Sequence, residues 1–243
     1  MNVLDVLSTI EKEQNIRILF ACEAGSRAYG MSQVDSDYDI RFIYIQPIKS
    51  YLSLGNAKET YTLIKGGLDI QGWDIRKALL LAHKSNASLF EWALSSIPYV
   101  RDDLFSSYFL EEVYPSFSIK VLAYHYLSLT TKNVAQFKEK QKINFLYHAV
   151  RCALMLELLV EQKVTSIQLA QLTKQSNYFS ESDYCLLKQW KQQGAVSNEL
   201  ASSLLQKIIQ VIEATSPQLQ GLITSKPHIK ALEKLFHELL EVD

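Results

Sequence analysis

The sequence predicts an α+β protein: a small mixed β-sheet domain over residues 1–105, followed by an all-helical domain over residues 106–243. Three observations predict it. Strand-like runs rich in β-branched and aromatic residues are confined to the first hundred positions. Two of those runs flank a Lys65-Gly66-Gly67 turn, which marks a hairpin. From Asp74 onward the apolar residues recur at helical spacing, and the second half is almost wholly helical in pattern.

Taken in order, Val3, Leu4, Val6, Leu7 and Ile10 space an amphipathic helix over 3–14. Residues 16–22 read as a strand that runs into Glu23-Ala24-Gly25-Ser26, with a short helix beginning at Ser26. After the turn-rich stretch 30–37, a strand is predicted at Tyr38–Ile45 and ended by Pro47. Residues 60–64 and 68–73 pair antiparallel across the glycine turn, which completes a small mixed sheet. Asp74 stands as the N-cap of a helix over Ile75–His83, and Asn86 opens another. Beyond a boundary region near 100–116, long helices are expected at 117–139, 142–161, 180–193, 198–214 and 227–241. No internal repeat or low-complexity run interrupts them.

Composition narrows the partners. The 25 Lys and Arg balance 26 Asp and Glu, so the whole chain exerts no strong pull on nucleic acid or on an anionic membrane, and any such site must be local. Cys22, Cys152 and Cys185 are widely separated, without CxxC or zinc-ligand spacing, and are expected to be buried free thiols. The first fourteen residues lack the basic start and unbroken apolar run of a signal peptide. The most apolar segment, 145–160, carries His148, Arg151 and Glu157 and reads as a buried helix rather than a membrane span. A cytoplasmic protein with no membrane partner is expected.

The segment that carries chemistry runs from Gly25 to Asp39. Gly25 allows a tight turn out of the strand and close approach of a ligand, and a helix starting at Ser26 aims free N–H groups at an anion. Ser26 adds a hydroxyl donor. Alone, Gly-Ser after a strand is more often an ordinary N-cap; here it lies just upstream of Asp37 and Asp39. Two apart on a strand, these carboxylates project from one face with Cα atoms roughly 6.6 Å apart. Mg²⁺ prefers a few carboxylate oxygens completed by water and phosphate, and two such ions clamp an in-line displacement. An isolated Asp-x-Asp is more often a solvated acidic turn; its placement beside a phosphate cradle shifts the balance. An EF-hand loop is excluded, since Ile40 stands at the sixth position and Gln46 at the twelfth. A phosphatase nucleophile would need the apolar strand to lead into the acidic pair, whereas here it follows. A third carboxylate is expected from Asp69, within the next strand, where it would ligate metal beside the attacking hydroxyl and accept its proton. Asp74 is the reserve ligand, better placed as a helix cap.

At these residues the chain resembles the DNA polymerase beta-like nucleotidyltransferases, whose pattern is Gly-Ser, a spacer of about ten residues, Asp-x-Asp and a later acidic residue. More narrowly it resembles the RlaP-type, RNA-repair-associated nucleotidyltransferases. That likeness rests on 23–30 (Glu-Ala-Gly-Ser-Arg-Ala-Tyr-Gly), on Ser36-Asp37-Tyr38-Asp39-Ile40-Arg41 and Tyr44, on 69–77, and on Asn86-Ala87-Ser88-Leu89-Phe90-Glu91-Trp92. It departs from the family at Ala87, where proline is usual, a change at a helix entry rather than in the chemistry. It covers the first hundred residues well and the second half loosely.

In that second half Asn144, His148 and Arg151 form a polar stripe on an apolar helix. Arg151 would suit a triphosphate, with structural pairing to Glu157 or another buried acid as the alternative. Lys132, Lys138, Lys140 and Lys142 read as a solvated helix face. Tyr29, Tyr38 and Trp73 are read as packing around the sheet, and His83 and His125 have no catalytic partner in sequence. No Ser/His/Asp signature or P-loop occurs.

Together, residues and resemblance imply a metal-dependent transfer of a nucleotide from an NTP to an acceptor hydroxyl, RNA among the candidates, with release of pyrophosphate. Gly25 and Ser26 would hold the β and γ phosphates, and Asp37 and Asp39 two Mg²⁺ ions, with Mn²⁺ as a substitute. Asp69 would activate the acceptor, and Arg27 or Arg151 would stabilise developing charge. The competing expectation is a nucleotide-binding sensor or antitoxin-like module without efficient transfer. Neither the base, the acceptor nor the oligomeric state is written in the sequence.

Overall fold

The computed structural model describes residues 2–55, 58–194 and 197–241. In chain order its first elements are α1 (Val3–Gln14), β1 (Arg17–Glu23), α2 (Gly25–Ala28), β2 (Tyr38–Ile45), α3 (Ile48–Tyr51), β3 (Thr60–Lys65) and β4 (Leu68–Asp74). There follow α4 (Ile75–His83), α5 (Ala87–Ala93), β5 (Pro98–Arg101) and α6 (Asp103–Tyr108), then a π-helical turn at Phe109–Val113 and a 3₁₀ turn at Tyr114–Ser116. The remaining helices are α7 (Ile119–Lys140), α8 (Ile143–Val160), α9 (Leu169–Gln175), α10 (Glu181–Gln193), α11 (Asn198–Thr215) and α12 (Ile229–Leu240), with a 3₁₀ turn at Ser216–Gly221. The fold is thus mixed α+β.

The chain forms two compact units, and one of them is built from three separate segments: Met1–Ala28, Val34–Phe117 and Lys226–Asp243. This unit contains the sheet, ordered β3-β4-β2-β1-β5. Only β2 and β4 run parallel; the other neighbours are antiparallel, which makes the sheet mixed. The expected β3–β4 hairpin closes through Gly66 and Gly67, both at positive φ (57° and 77°), as a tight two-residue turn requires. Strand β5 lies in the stretch read from sequence as a boundary region. Four residues with one proline carry too short a pattern to register, and pairing with β1 supplies the order that propensity does not.

Side-chain alternation along β2 sorts its residues between two faces. Ile40, Phe42 and Tyr44 pack with Val3, Leu7 and Ile10 of α1 and with Leu68 and Ile70 of β4. Asp39, Arg41 and Ile43 therefore take the opposite face. The first unit runs past residue 105 to Phe117 because its aromatic residues continue that far: Phe105 stacks on Phe109 at 5.3 Å, and Phe90 stacks on Tyr114 at 5.0 Å. Helix α12 returns to the same unit, where Phe236 meets Tyr51 edge-on at 5.3 Å and the Tyr108 hydroxyl donates to the Ala231 carbonyl.

The second unit comprises Ser118–Ser225 and the short segment Tyr29–Gln33. Helix α8 is its centre and packs against α7, α9, α10 and α11. By length and composition α8 is the one helix among the described residues apolar enough to cross a membrane, and its residues are mostly buried within the unit. The five long helices fall close to their expected spans. Helix α9 was not anticipated, since seven residues hold too few apolar repeats to stand out. Segment 29–33 is fastened by main-chain and side-chain bonds. Leu169 N–H donates to the Tyr29 carbonyl at 3.0 Å, Lys191 Nζ to the Met31 carbonyl at 2.8 Å, and Gln33 Nε2 to the Lys191 carbonyl at 2.7 Å. Met31 is buried there. Of the three cysteines, Cys22 and Cys152 are buried as expected, but Cys185 is exposed. It falls on the outer face of α10, whose inner face is set by Asp183, Leu187 and Trp190 at helical spacing.

Gly72 tests the register of the sheet. A Cβ placed there would stand 2.2–2.7 Å from ring atoms of Phe42, its cross-strand partner. Gly72→Ala is expected to destabilise the protein by about 1–3 kcal/mol through overpacking, read by urea denaturation, and Phe42→Leu in the same chain should recover part of the loss.

Candidate active site

The site is built where β1 ends, beside the start of β2. Glu23, the last residue of β1, is fully buried, yet its carboxylate is in use on both oxygens: one accepts the Asp39 N–H at 2.9 Å and the other the Tyr99 hydroxyl. Ala24 N–H donates to the Asp39 carbonyl at 2.7 Å. The backbone of Asp39 is thus held from both its N–H and its C=O by the residues that lead into the Gly-Ser turn.

Gly25 then turns the chain at φ 57°, a conformation that costs other L-residues energy. Its second requirement is space. A Cβ on Gly25 would lie 1.9 Å from Asp39 Oδ2 and 2.5 Å from Asp39 Cγ, so the carboxyl group occupies the volume that any larger residue would fill. The helix that follows starts at Gly25, one residue earlier than expected, and is a single turn. So short a helix has little macrodipole, and any anion held here would be met by individual N–H groups and by Ser26, partly exposed at its second position.

Arg27 does not point outward as a free phosphate-binding charge. Its Nε donates to the Asp37 carbonyl at 3.2 Å, its Nη2 to the Ser36 carbonyl at 2.7 Å, and the guanidinium lies over the Tyr38 ring at 3.9 Å. It shapes the loop that delivers Asp37. The strand begins at Tyr38, as expected, where pairing with Leu68 starts, so Asp37 lies one residue before β2 rather than on it. Its side chain is exposed, and an added Cβ on Gly67 would come within 3.5 Å of Asp37 Oδ1.

The parallel pairing of β2 with β4 puts Asp69 directly opposite Asp39. Asp74 is opposite Tyr44, five residues further along, and caps α4: Oδ1 accepts the Arg76 N–H at 2.9 Å, while Oδ2 accepts the Tyr51 hydroxyl at 2.7 Å and Gln46 Nε2 at 2.8 Å. Asp39 therefore has Asp69 across the strand pair and feels the charge of Asp37, while Asp74 is engaged elsewhere. Arg151 belongs to the other unit, where it is buried with its guanidinium 4.2 Å from the Tyr29 ring centroid. Glu157 accepts from the Ser176 hydroxyl at 2.5 Å and the Asn177 N–H at 2.6 Å.

Two residues given no role from sequence complete the site. Glu23 is one. The other is Arg41, two residues beyond Asp39 on the same face of β2, whose Nη2 reaches Asp69 Oδ2 at 2.9 Å and Asp39 Oδ1 at 3.3 Å. The period of two that relates Asp37 to Asp39 extends to Arg41, and following it one step further would have found this residue. Burial raises the pKa of Asp39; Arg41 pulls it back down, while the Asp69 and Asp37 charges push it up. Burial likewise raises Glu23, against the lowering effect of its hydrogen bonds from Tyr99 and Asp39. Burial pushes the Cys22 thiol up to about 12, which keeps it an inert core group.

Hard divalent ions take oxygen ligands, and this donor set is all carboxylate. Two of its members already converge on a cation, the Arg41 guanidinium. The residues fit a divalent ion in chemistry, although among the described residues no three His, Cys, Asp or Glu stand as a preformed ligand shell.

Residues 1–238 match the family described as RlaP, the RNA repair pathway DNA polymerase beta family. Over 142 residues the chain is 34% identical to the uncharacterized protein YcgL of Bacillus subtilis (strain 168), an alignment that takes in 58% of this chain and 55% of that protein. The chain thus spans about half the length of this curated relative. Among solved structures, the nucleotidyltransferase-like protein from Exiguobacterium sibiricum is similar over 99% of this chain and 80% of its own, at 13% identity and a TM-score of 0.33.

The raised pKa of Asp39 has a stability signature. Between the ordinary aspartate value of 3.8 and the folded value, the native state keeps a proton that the unfolded chain has released, so stability falls as pH rises through that window. Urea denaturation in EDTA at a series of pH values is expected to show the wild type losing stability relative to Asp39→Asn as the pH climbs. A pH-independent difference between the two would mean that Asp39 titrates normally.

Proposed function

Because the chain belongs to the RlaP family of RNA-repair-pathway, polymerase beta-like nucleotidyltransferases, we propose that it is a metal-dependent enzyme that transfers a nucleotide from an NTP to an acceptor hydroxyl, with RNA as the acceptor class, and releases pyrophosphate in the cytoplasm. The observation that carries this reading is the contact of Asp39 with Gly25: the phosphate-binding turn and the carboxylate cluster touch, with Asp69 across the strand and Asp37 two residues away.

In this reading Gly25 and Ser26 bind the β and γ phosphates through N–H groups and the Ser26 hydroxyl, which fixes the α-phosphorus near the carboxylates. Asp37, Asp39 and Asp69 are the ligands for two Mg²⁺ ions, with Mn²⁺ able to substitute. When bound, such ions supply Lewis-acid charge at the phosphoryl oxygens and lower the pKa of the acceptor hydroxyl. Asp69 faces the acceptor side and takes up its proton. The acceptor oxygen forms its bond to the α-phosphorus as the bond to the β-phosphate oxygen breaks, and pyrophosphate leaves. Glu23 and Arg27 keep the Asp39 backbone and the Asp37 loop in place. Arg151 is the second candidate for steadying triphosphate charge.

A nucleotide-sensing or antitoxin-like module is the second reading, favoured by one observation: Arg41 already pairs with two of the three carboxylates. The two readings separate on one assay. The protein is incubated with each NTP radiolabelled at the α-phosphorus, Mg²⁺ or Mn²⁺, and pools of RNA, protein and small-molecule acceptors. Transfer of label into RNA is expected, with Asp37→Asn and Asp39→Asn falling to background while remaining folded by circular dichroism. Full activity in either variant rejects the metal role. An NTP-induced rise in melting temperature without pyrophosphate release would favour the sensor.

A further inference from the structure

Arg41 is placed as no ordinary surface ion pair would be. Its side chain is only 16% exposed. Nη1 is anchored on main-chain oxygens, donating to the Asp69 carbonyl at 2.8 Å and the Ile40 carbonyl at 3.1 Å. Those two bonds leave Nη2 aimed between Asp69 Oδ2 at 2.9 Å and Asp39 Oδ1 at 3.3 Å. The anchors belong to the strands that carry the carboxylates, so the charge is fixed in the same frame as its partners. A long, mobile lysine could not be held this way, since an ammonium lacks the planar fork that reaches carbonyl and carboxylate together.

We infer that Arg41 is a built-in counter-cation of the carboxylate cluster, so that a free divalent ion binds the nucleotide-free protein weakly and the site fills chiefly when the triphosphate is present. This rests on the metal-dependent reading above and adds a rule of loading order to it. Two carboxylates facing each other across a strand pair need positive charge between them. Arg41 supplies that charge at rest, and an incoming ion must share the oxygens with a guanidinium that its carbonyl anchors prevent from leaving. A triphosphate brings several negative charges into the same space, which offsets the repulsion between ion and guanidinium. The ion is then favoured as part of the nucleotide complex rather than alone.

The test is Mn²⁺ binding by the full chain, followed by electron paramagnetic resonance of the free ion, without nucleotide and with a non-hydrolysable NTP analogue. Without nucleotide, Arg41→Gln is expected to bind Mn²⁺ about tenfold more tightly than the wild type, as removal of a unit charge close to the oxygens predicts. Arg41→Lys, which keeps the charge but loses the carbonyl anchors, should fall between the wild type and Arg41→Gln. With the analogue present, the gap between wild type and Arg41→Gln should narrow. Equal or weaker Mn²⁺ binding by a folded Arg41→Gln would overturn the inference and leave the metal site standing. Should that variant not fold, the wild type decides the matter: Mg²⁺ is expected to shift the guanidinium nitrogen resonances of Arg41, and resonances unchanged at saturation overturn the idea. Failure of both proteins to bind Mn²⁺, even with the analogue, would remove the metal reading and this inference together.

Discussion

The contact between the Asp39 carboxyl group and the Cα of Gly25 is the constraint on which the rest of the site depends. With less than 2 Å between Asp39 Oδ2 and the position of an added Cβ, the two segments meet only because one of them has no side chain. The approach is then locked by the main chain: Glu23 accepts the Asp39 N–H, and Ala24 donates to the Asp39 carbonyl. A buried carboxylate would be costly without partners. Glu23 has them on both oxygens, from Tyr99 and from Asp39, and this explains why strand β5, which brings Tyr99, matters to a site it does not line. The sheet order places β2 at the junction of all these parts, with β1 and the Gly-Ser turn on one side and β4 with Asp69 on the other.

Electrostatically the site is a concentration of negative charge under tension. Asp39 is disfavoured as an anion by burial and by its two acidic neighbours, and Arg41 is the one group that relieves it from within the strand. Arg27, the arginine that precedes the acidic pair in sequence, is spent on the loop carbonyls of Ser36 and Asp37. The division of labour is therefore clear: one arginine shapes the loop and the other balances the carboxylates.

Much of this was legible in the sequence. The Gly-Ser turn, the Asp-x-Asp and the acidic residue on a later strand are local in pattern, as is the glycine hairpin at 65–67 that joins β3 to β4, whereas the parallel pairing that sets Asp69 opposite Asp39 is long-range. The long helices were legible for the same reason, since each holds several turns of apolar repeat. What escaped were features that only long-range pairing creates. Strand β5 is four residues long and exists because β1 offers it an edge. Glu23 reads in sequence as one more charged residue at a strand end, and its burial follows from Tyr99, 76 positions away. The anchoring of Arg27 escaped as well, because sequence shows its charge but not the carbonyls it is aimed at. The exposed Cys185 was misjudged on residue type alone, when the phase of its helix set its environment.

The excursion of residues 29–33 has a consequence for how such a protein can be cut or recombined. The chain leaves the sheet unit just after the Gly-Ser turn, gives five residues to the helical unit, and returns in time to deliver Asp37. A fragment ending at Phe117 would keep Met31 but lose Leu169 and Lys191, whose bonds hold that segment, and would lose α12 from its own unit as well. The two units are thus not beads on a string that a crossover could exchange. A foreign helical half would have to bury the same methionine and bond the same carbonyls, so these halves are expected to be inherited together and to change in step.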